Sequence, residues 1–200
     1  MRILSINESG LEVAVNEAVA ALRKGGIVAY PTESYYALGV MASDEAALKK
    51  LYEIKMRPIQ KALPVIVGSE DTLKTIVISI PEAARMLMEK FWPGPLTLIF
   101  EAKAGLPELL TAGLGKVAVR LPGEGFALSM AKAAGFPITA TSANLSSMPP
   151  ARYPDEVIKY FGHSIELMID AGETPGGKPS TIVNVTVEPY KLLREGRVAL

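Results

Sequence analysis

Apolar positions follow a helical period in the first well-patterned segment of the chain. Within LEVAVNEAVAALRKGG, Val15, Val19 and Leu22 recur at helical spacing, and Gly25 follows as a helix-ending signal. The next stretch, GIVAYPTES, is a short apolar run that leads into a Pro-Thr turn. The pattern therefore predicts a helix followed by a buried strand.

The alternation of the two element types continues along the chain. A helix is predicted for SDEAALKKLYEIK with Ser43 as its N-cap, for a segment that starts at Pro81, and for GFALSMAKAAG and PDEVIKYFG. Strands are predicted for ALPVIVG, PLTLIFEAK, KVAVRLPG, PITATSANLS, IELMIDAG and STIVNVTVEPYKLLREG. This order predicts an α/β fold in one domain over residues 1–200, with a twisted mixed parallel and antiparallel sheet and flanking helices.

Composition narrows the classes of function. Hydrophobic residues make up 49% and charged residues 21%, as in an ordinary globular protein. With no Cys and His163 as the only His, disulfides and a zinc site are not expected. No apolar run spans a bilayer and no signal-peptide core opens the chain, which predicts a cytoplasmic protein without a membrane segment. Lys and Arg together number 21, as do Asp and Glu together, so the net charge is zero. A polyanion would therefore have to bind at a local basic patch.

Three short motifs resemble known nucleotide or catalytic signatures but lack their context. The stretch GETPGGKPSTIVNV from Gly172 approaches a P-loop, yet Pro179 replaces the Ser or Thr that holds magnesium, and a strand follows instead of a helix. GLGKVA from Gly113 precedes a strand, and SMAK from Ser129 has no partner motif. None of them is taken as a site.

Polar stretches follow several predicted strands and point to one ligand site. They are YPTESYYALG, KMRPIQK, VAVRLPG and TATSANLSS, with the glycine-rich stretch and LLREG as a fifth. In α/β sheets, ligands bind in the crevice at the carboxyl ends of strands.

These stretches, with LYEIKMRP and FWPGPLTLIF between them, resemble the YrdC-type threonylcarbamoyl-AMP synthase family over nearly the whole chain. The resemblance implies a YrdC-like fold. It also implies ATP-dependent condensation of L-threonine with bicarbonate or carbon dioxide, giving threonylcarbamoyl-AMP and pyrophosphate. A partner enzyme then transfers the threonylcarbamoyl group to an adenosine of tRNA. Mg²⁺ is expected on the ATP phosphates, with no metal site in the protein itself.

The amino acid would be held by a cation and small polar groups. An arginine pairs with a carboxylate through two hydrogen bonds, and Arg120 ends an apolar strand. Thr32, Ala140 and Ser180 match positions that contact threonine in the family. The alternatives are an exposed ion pair for Arg120 and local turn bonds for the hydroxyls. The glycine-rich loop would deliver Ser180, and with it Thr181, and close over the substrates.

The triphosphate needs several cations, since one side chain cannot neutralise it. The resemblance and the basic loop together assign ATP to Lys55, Arg57, Lys61, Ser142, Asn144 and Arg194. The alternatives are a solvated basic loop for the cations and turn capping for Ser142 and Asn144.

Two features depart from the pattern of many family members. Ile66 stands where many members carry a His that contacts threonine, and Lys61 stands where some carry Asn.

Two other functions remain open. One is a non-catalytic paralogue that binds double-stranded RNA or tRNA through the same cations. The other is the carbamoyl-transfer chemistry of related domains in hydrogenase maturation proteins. Those chains carry zinc-finger segments, whereas this one has no Cys.

Overall fold

A computed structural model describes residues 1–200. The helices are α1 Ile6–Ser9, α2 Leu11–Arg23, α3 Glu45–Lys55, α4 Glu70–Lys74, α5 Glu82–Phe91, α6 Glu108–Thr111, α7 Phe126–Ala134 and α8 Pro154–Phe161. The strands are β1 Arg2–Ser5, β2 Val28–Pro31, β3 Tyr36–Gly39, β4 Val65–Ile66, β5 Leu96–Glu101, β6 Lys116–Arg120, β7 Ile138–Thr139, β8 Thr141–Ser142, β9 Leu167–Asp170, β10 Thr181–Asn184 and β11 Lys191–Arg194.

The strands form two mixed sheets. The five-stranded sheet has the order β1-β9-β2-β3-β8, and the six-stranded sheet has the order β11-β10-β5-β6-β4-β7. Each sheet contains parallel and antiparallel pairs, such as β1 with β9 and β5 with β6. The predicted α/β class with mixed strand pairing and flanking helices is confirmed, and the strands divide between two sheets.

The segment 138–142 links the two sheets. Its first half, β7, pairs with β4 of the six-stranded sheet, and its second half, β8, pairs with β3 of the five-stranded sheet. Ala140 lies between the halves, where its N–H donates to the Pro64 carbonyl at 2.8 Å. The cleft described below lies beside this junction.

Apolar residues form two clusters. The larger one includes Leu98 and Val119 of the six-stranded sheet and Leu48 of α3. The smaller one places α2 and α7 on the five-stranded sheet and includes Val15 and Leu22, as the helical spacing predicted. Full burial of one such side chain stabilises the fold by about 1.5–3 kcal/mol relative to exposure.

Element boundaries differ from the predicted ones. The predicted strands PITATSANLS and STIVNVTVEPYKLLREG are each divided in two, into β7 and β8 and into β10 and β11. The helix α3 starts one residue later than expected, because the Asp44 carboxylate, not Ser43, accepts the Ala47 N–H at 3.0 Å. The predicted strand ALPVIVG is reduced to Val65–Ile66. Pro64 precedes it and has no N–H to donate to a ladder. Gly25 follows α2 at φ 76°, the left-handed conformation expected after a helix.

None of the eight helices is both long enough and apolar enough to cross a bilayer.

Candidate functional site

A cleft of about 580 Å³ opens on one face of the six-stranded sheet. Side chains alternate between the faces of a strand, so Leu98 and Val119 enter the core while Thr97, Ala118 and Arg120 turn to the cleft. The remaining walls come from the β2–β3 turn, the basic loop, the 138–142 segment and the glycine-rich loop. The polar and charged lining residues are Thr32, Ser34, Tyr35, Tyr36, Arg57, Thr97, Arg120, Thr141, Ser142, Ser180 and Arg194.

The charge in this lining has one sign. Arg57, Arg120 and Arg194 contribute guanidinium groups, and no Asp or Glu belongs to the lining. A concave site lined by guanidinium groups favours anionic ligands, and desolvation strengthens the attraction. These three of the predicted cations line one cleft, and the ligands assigned to them remain predictions.

Arg120 makes an ion pair that the sequence analysis did not anticipate. Its Nη1 donates to the Glu33 carboxylate, and the two side chains are only 12% and 17% exposed. Glu33 reaches Arg120 from beside the cleft, between Thr32 and Ser34, which both line it. The only sequence signal was an acidic residue in the turn after a buried strand.

Thr32 holds the turn that carries Glu33. Its Oγ1 donates to the Tyr35 carbonyl at 2.7 Å and accepts the N–H groups of Ser34 at 3.1 Å and Tyr35 at 3.3 Å. The turn therefore connects β2 to β3 rigidly. Thr32 also lines the cleft, so its predicted contact with threonine remains a prediction alongside its structural role.

Ser180 and Arg194 are joined at the opposite wall. The Arg194 guanidinium donates to the Ser180 carbonyl at 2.8 Å and to its hydroxyl at 3.2 Å, and Thr97 Oγ1 lies 2.8 Å from the same hydroxyl. Burial, and then the charge of Arg120, lower the pKa of Arg194. Thr181 is buried, and its hydroxyl donates to the Val198 carbonyl, so only Ser180 of that pair lines the cleft.

The basic loop brings one of its three cations to the cleft. Arg57 lines it, with Nε donating to the Lys61 carbonyl at 3.0 Å and Nη2 to the Ala62 carbonyl at 2.8 Å. These bonds fix the guanidinium on its own loop. Lys61 is exposed and lies outside the lining, and its assignment to ATP remains a prediction.

Lys55 lies behind the wall. It is 2% exposed, and its Nζ donates to the carbonyls of Ser142 at 2.5 Å and Asn144 at 2.6 Å. Burial, with a smaller contribution from Arg57, lowers the pKa of Lys55 to about 7. The structure thus gives Lys55 a role in holding the 142–144 wall, and a direct contact with ATP remains a prediction.

Ser142 and Asn144 bond to each other and to their own turn. The Ser142 hydroxyl donates to the Asn144 side-chain oxygen, and Asn144 Nδ2 donates to the carbonyls of Leu145 and Met148. Ser142 lines the cleft with Ala140, whereas Asn144 does not. Turn capping, the alternative for Asn144, is therefore observed.

Ile66 is placed next to Arg120 by the parallel register of β4 and β6. It is fully buried within the apolar cluster of α2 and α7 and does not line the cleft. A polar residue at this position would lie one strand away from Arg120. Isoleucine contributes packing there and no hydrogen bond.

The glycine-rich loop leads into the strand β10, so the absence of a P-loop helix is confirmed. Gly176 and Gly177 have φ of 68° and 91°, a conformation that favours glycine. The Gly176 N–H donates to the Ser34 carbonyl at 2.6 Å, and Arg197 donates to the carbonyls of Gly176 and Glu33. These bonds tie the loop to the β2–β3 turn over one end of the cleft.

The side chains of the cleft determine how the expected magnesium ion could be held. No three His, Cys, Asp or Glu side chains cluster in the structure, and the cleft lining offers Mg²⁺ no carboxylate. Such a lining fits an ion that arrives bound to phosphate oxygens, as Mg²⁺ commonly does with nucleotides.

Comparison with known proteins places the chain in a family. A family model for Sua5, YciO and YrdC proteins, described as "Telomere recombination", matches residues 20–196. The chain belongs to the Sua5/YciO/YrdC family. The threonylcarbamoyl-AMP synthase of Pyrococcus abyssi is 39% identical over 99% of this chain, and that of Bacillus subtilis is 38% identical over 92%.

The Sua5/YciO/YrdC chain covers only part of these relatives. It spans 58% of the Pyrococcus abyssi protein and 54% of the Bacillus subtilis protein, so about half the length of each is matched. The crystal structure of Pyrococcus abyssi Sua5 complexed with L-threonine superposes with a TM-score of 0.91 at 38% identity, covering 98% of this chain and 58% of that one. The YrdC-like fold predicted from the sequence is confirmed.

Proposed function

We propose that this chain is an L-threonylcarbamoyladenylate synthase, a nucleotidyltransferase that uses ATP, L-threonine and bicarbonate or carbon dioxide. The observation that carries the proposal is the cleft with Arg57, Arg120 and Arg194 in its lining and no lining carboxylate. The activity named for its relatives and the threonine complex of a homologous fold support the same reaction. The product would pass to a partner enzyme that modifies tRNA in the cytoplasm.

The proposed reaction has two steps. The ammonium group of bound threonine first loses a proton, and the resulting amine forms an N–C bond to carbon dioxide and loses a second proton, which gives a carbamate. A carbamate oxygen then attacks the α-phosphorus of ATP, the bond to the β-phosphate oxygen breaks, and pyrophosphate leaves. Neither step requires a covalent bond to the protein.

The residues of the cleft would act by holding and orienting threonine and ATP. Arg120 holds the threonine carboxylate, while Arg57 and Arg194 stabilise phosphate charge. Mg²⁺ bound to the phosphates would add a Lewis acid to the leaving group. The linked walls of the cleft exclude water that would hydrolyse an adenylate, and the rate arises from proximity and fixed charge.

The test is pyrophosphate release from ATP by the purified protein with magnesium. We expect release only when both L-threonine and bicarbonate are present. Release that is independent of threonine, or no release together with RNA binding, would replace the synthase with another function.

Arg120→Ala tests whether threonine binds at the proposed position. Removing hydrogen bonds to a charged group weakens threonine binding by about 1.5–3 kcal/mol. Calorimetric titration of threonine measures this loss, and Arg85→Ala serves as the control, since Arg85 lies in an exposed ion pair with Glu70. Equal threonine affinity in wild type and Arg120→Ala would remove Arg120 from the site.

A further inference from the structure

Glu33 is the acidic residue that pairs with Arg120, the proposed binding partner of the threonine carboxylate. Its carboxylate pairs with Nη1 of Arg120, and both side chains are largely buried. One side of the guanidinium is thus occupied by a fixed anion. A ligand carboxylate must use the remaining donors of Arg120.

Hydrogen bonds hold the main chain that carries Glu33. The Thr32 hydroxyl closes the turn through bonds to Ser34 and Tyr35, and Arg197 donates to the Glu33 carbonyl at 2.7 Å. The turn thus fixes the starting point of the Glu33 side chain beside the cleft, and the ion pair with Arg120 holds its carboxylate.

A ligand carboxylate on Arg120 would therefore stand near the Glu33 carboxylate, because both share one guanidinium. Like charges about 4–6 Å apart disfavour each other, and an opposite charge at that range is favoured. The Arg120–Glu33 pair is neutral as a unit, so a simple monoanion adds an unbalanced charge, whereas an α-amino acid zwitterion adds none. The α-ammonium group is one carbon away from the carboxylate and lies within the same range of Glu33.

We propose that Glu33 is a specificity-determining residue, which together with Arg120 selects the zwitterion of an α-amino acid over a carboxylic acid of the same shape that lacks the amine. This inference rests on the proposed function, because it assumes that threonine binds at Arg120. Arg120 alone binds a carboxylate and cannot distinguish an acid with an α-amine from one without it.

Two ligands isolate the contribution of the α-ammonium group to binding. L-Threonine and (R)-3-hydroxybutanoate share the carbon chain, the hydroxyl and the carboxylate, and they differ in the α-ammonium group. Their dissociation constants are measured by two-dimensional amide NMR titration, which also reports whether each variant is folded. The proteins are wild type, Glu33→Gln, Glu33→Asp and, as a matched control, Glu17→Gln. Glu17 pairs with Arg2 in an exposed ion pair that does not involve Arg120 or the cleft.

We expect wild type to bind threonine at least about tenfold tighter than the hydroxy acid, the scale of one hydrogen bond to a charged group. In Glu33→Gln this ratio should fall severalfold, because threonine binds more weakly and the hydroxy acid binds no worse. Glu17→Gln should keep the wild-type ratio. Glu33→Asp, with its carboxylate drawn back by one methylene, should give an intermediate ratio.

The possible negative results distinguish a failure of the Glu33 proposal from a failure of the proposed function. Wild type that binds threonine while Glu33→Gln keeps the full ratio overturns the role of Glu33 and leaves the proposed function standing. Wild type that binds no threonine contradicts the proposed function and this inference with it. An equal loss of both ligands in a folded Glu33→Gln assigns Glu33 a structural role only. Should Glu33→Gln not fold, an unchanged ratio in Glu33→Asp overturns the proposal instead.

Discussion

Lys55 is a buried cation whose ammonium group donates to two main-chain carbonyl oxygens, those of Ser142 and Asn144. The two acceptors satisfy the group, and Phe161 lies 6.0 Å from its nitrogen. Burial still disfavours the charge and lowers the pKa of Lys55 from 10.5 to about 7. The wall of the cleft at 142–144 is therefore held by a lysine whose pKa lies near neutral pH.

This shift makes the stability of the protein depend on pH in a definite direction. Between pH 7 and 10.5 the unfolded chain keeps the Lys55 proton and the folded chain releases it, so the free energy of unfolding rises with pH. Lys55→Met removes this contribution. It also leaves the Asn144 carbonyl without its donor, which lowers stability by about 1–3 kcal/mol.

Urea unfolding at pH 7, 8 and 9 measures the effect. Over that range wild type should gain on the order of 2 kcal/mol relative to Lys55→Met. Parallel pH dependences in the two proteins would show that the folded Lys55 keeps an ordinary pKa.

At the scale of elements, the glycine-rich loop and the β2–β3 turn form one end of the cleft. They are joined by the Gly176–Ser34 main-chain bond and by Arg197, which bonds to a carbonyl on each side. Gly196 lets the chain that carries Arg197 approach closely, since a Cβ there would lie 2.3 Å from the Pro179 carbonyl oxygen. A segment near the end of the described chain thereby fastens the loop.

Arg197→Ala should loosen the loop without unfolding the protein. Hydrogen exchange of the Gly176 amide and its neighbours should become faster, since local opening no longer breaks the bonds of Arg197. The free energy of global unfolding should change by less than about 1 kcal/mol, as for most surface substitutions. Hydrogen exchange detected by mass spectrometry measures the loop, with Arg85→Ala as a distant arginine control. Exchange as slow as in wild type would mean that the main-chain bond alone holds the loop.

The elements that the sequence predicted well are those with a long pattern of their own. The helix through Val15 and Leu22 and the longer strands β5 and β6 carry enough periodic apolar positions to be read locally. The two-residue strands β4, β7 and β8 carry no such pattern, because tertiary pairing alone defines them. The division into two sheets followed from those short strands and was not predicted.

The same contrast applies to the site. Arg120 stands out in the sequence as a cation at the end of an apolar strand, whereas Arg57 and Arg194 were assigned through the basic loop and the family resemblance. The Arg120–Glu33 pair joins residues 87 positions apart, and only the fold brings them together. The burial of Lys55 depends equally on the 142–144 wall folding over it.

At the scale of the whole molecule, the balance of charge limits what the protein can bind. Positive and negative side chains number 21 each, so the three cleft arginines are a local feature on a neutral protein. Each phosphate neutralised on a duplex contributes about −0.9 to the slope of log affinity against log salt. One arginine of the three is already paired with Glu33, which leaves two arginines for phosphate contacts with RNA at this cleft.

Double-stranded RNA should therefore bind weakly, with a slope no steeper than about −3. ATP should compete with it, because both ligands need Arg57 and Arg194. Fluorescence anisotropy of a labelled duplex between 50 and 200 mM salt, with and without ATP, measures both quantities. A slope near −6 that ATP leaves unchanged would require an extended basic surface away from the cleft and would favour the RNA-binding paralogue. A shallow slope with competition fits a cleft that evolved for a triphosphate, in which RNA contacts the same arginines only as a weaker polyanion.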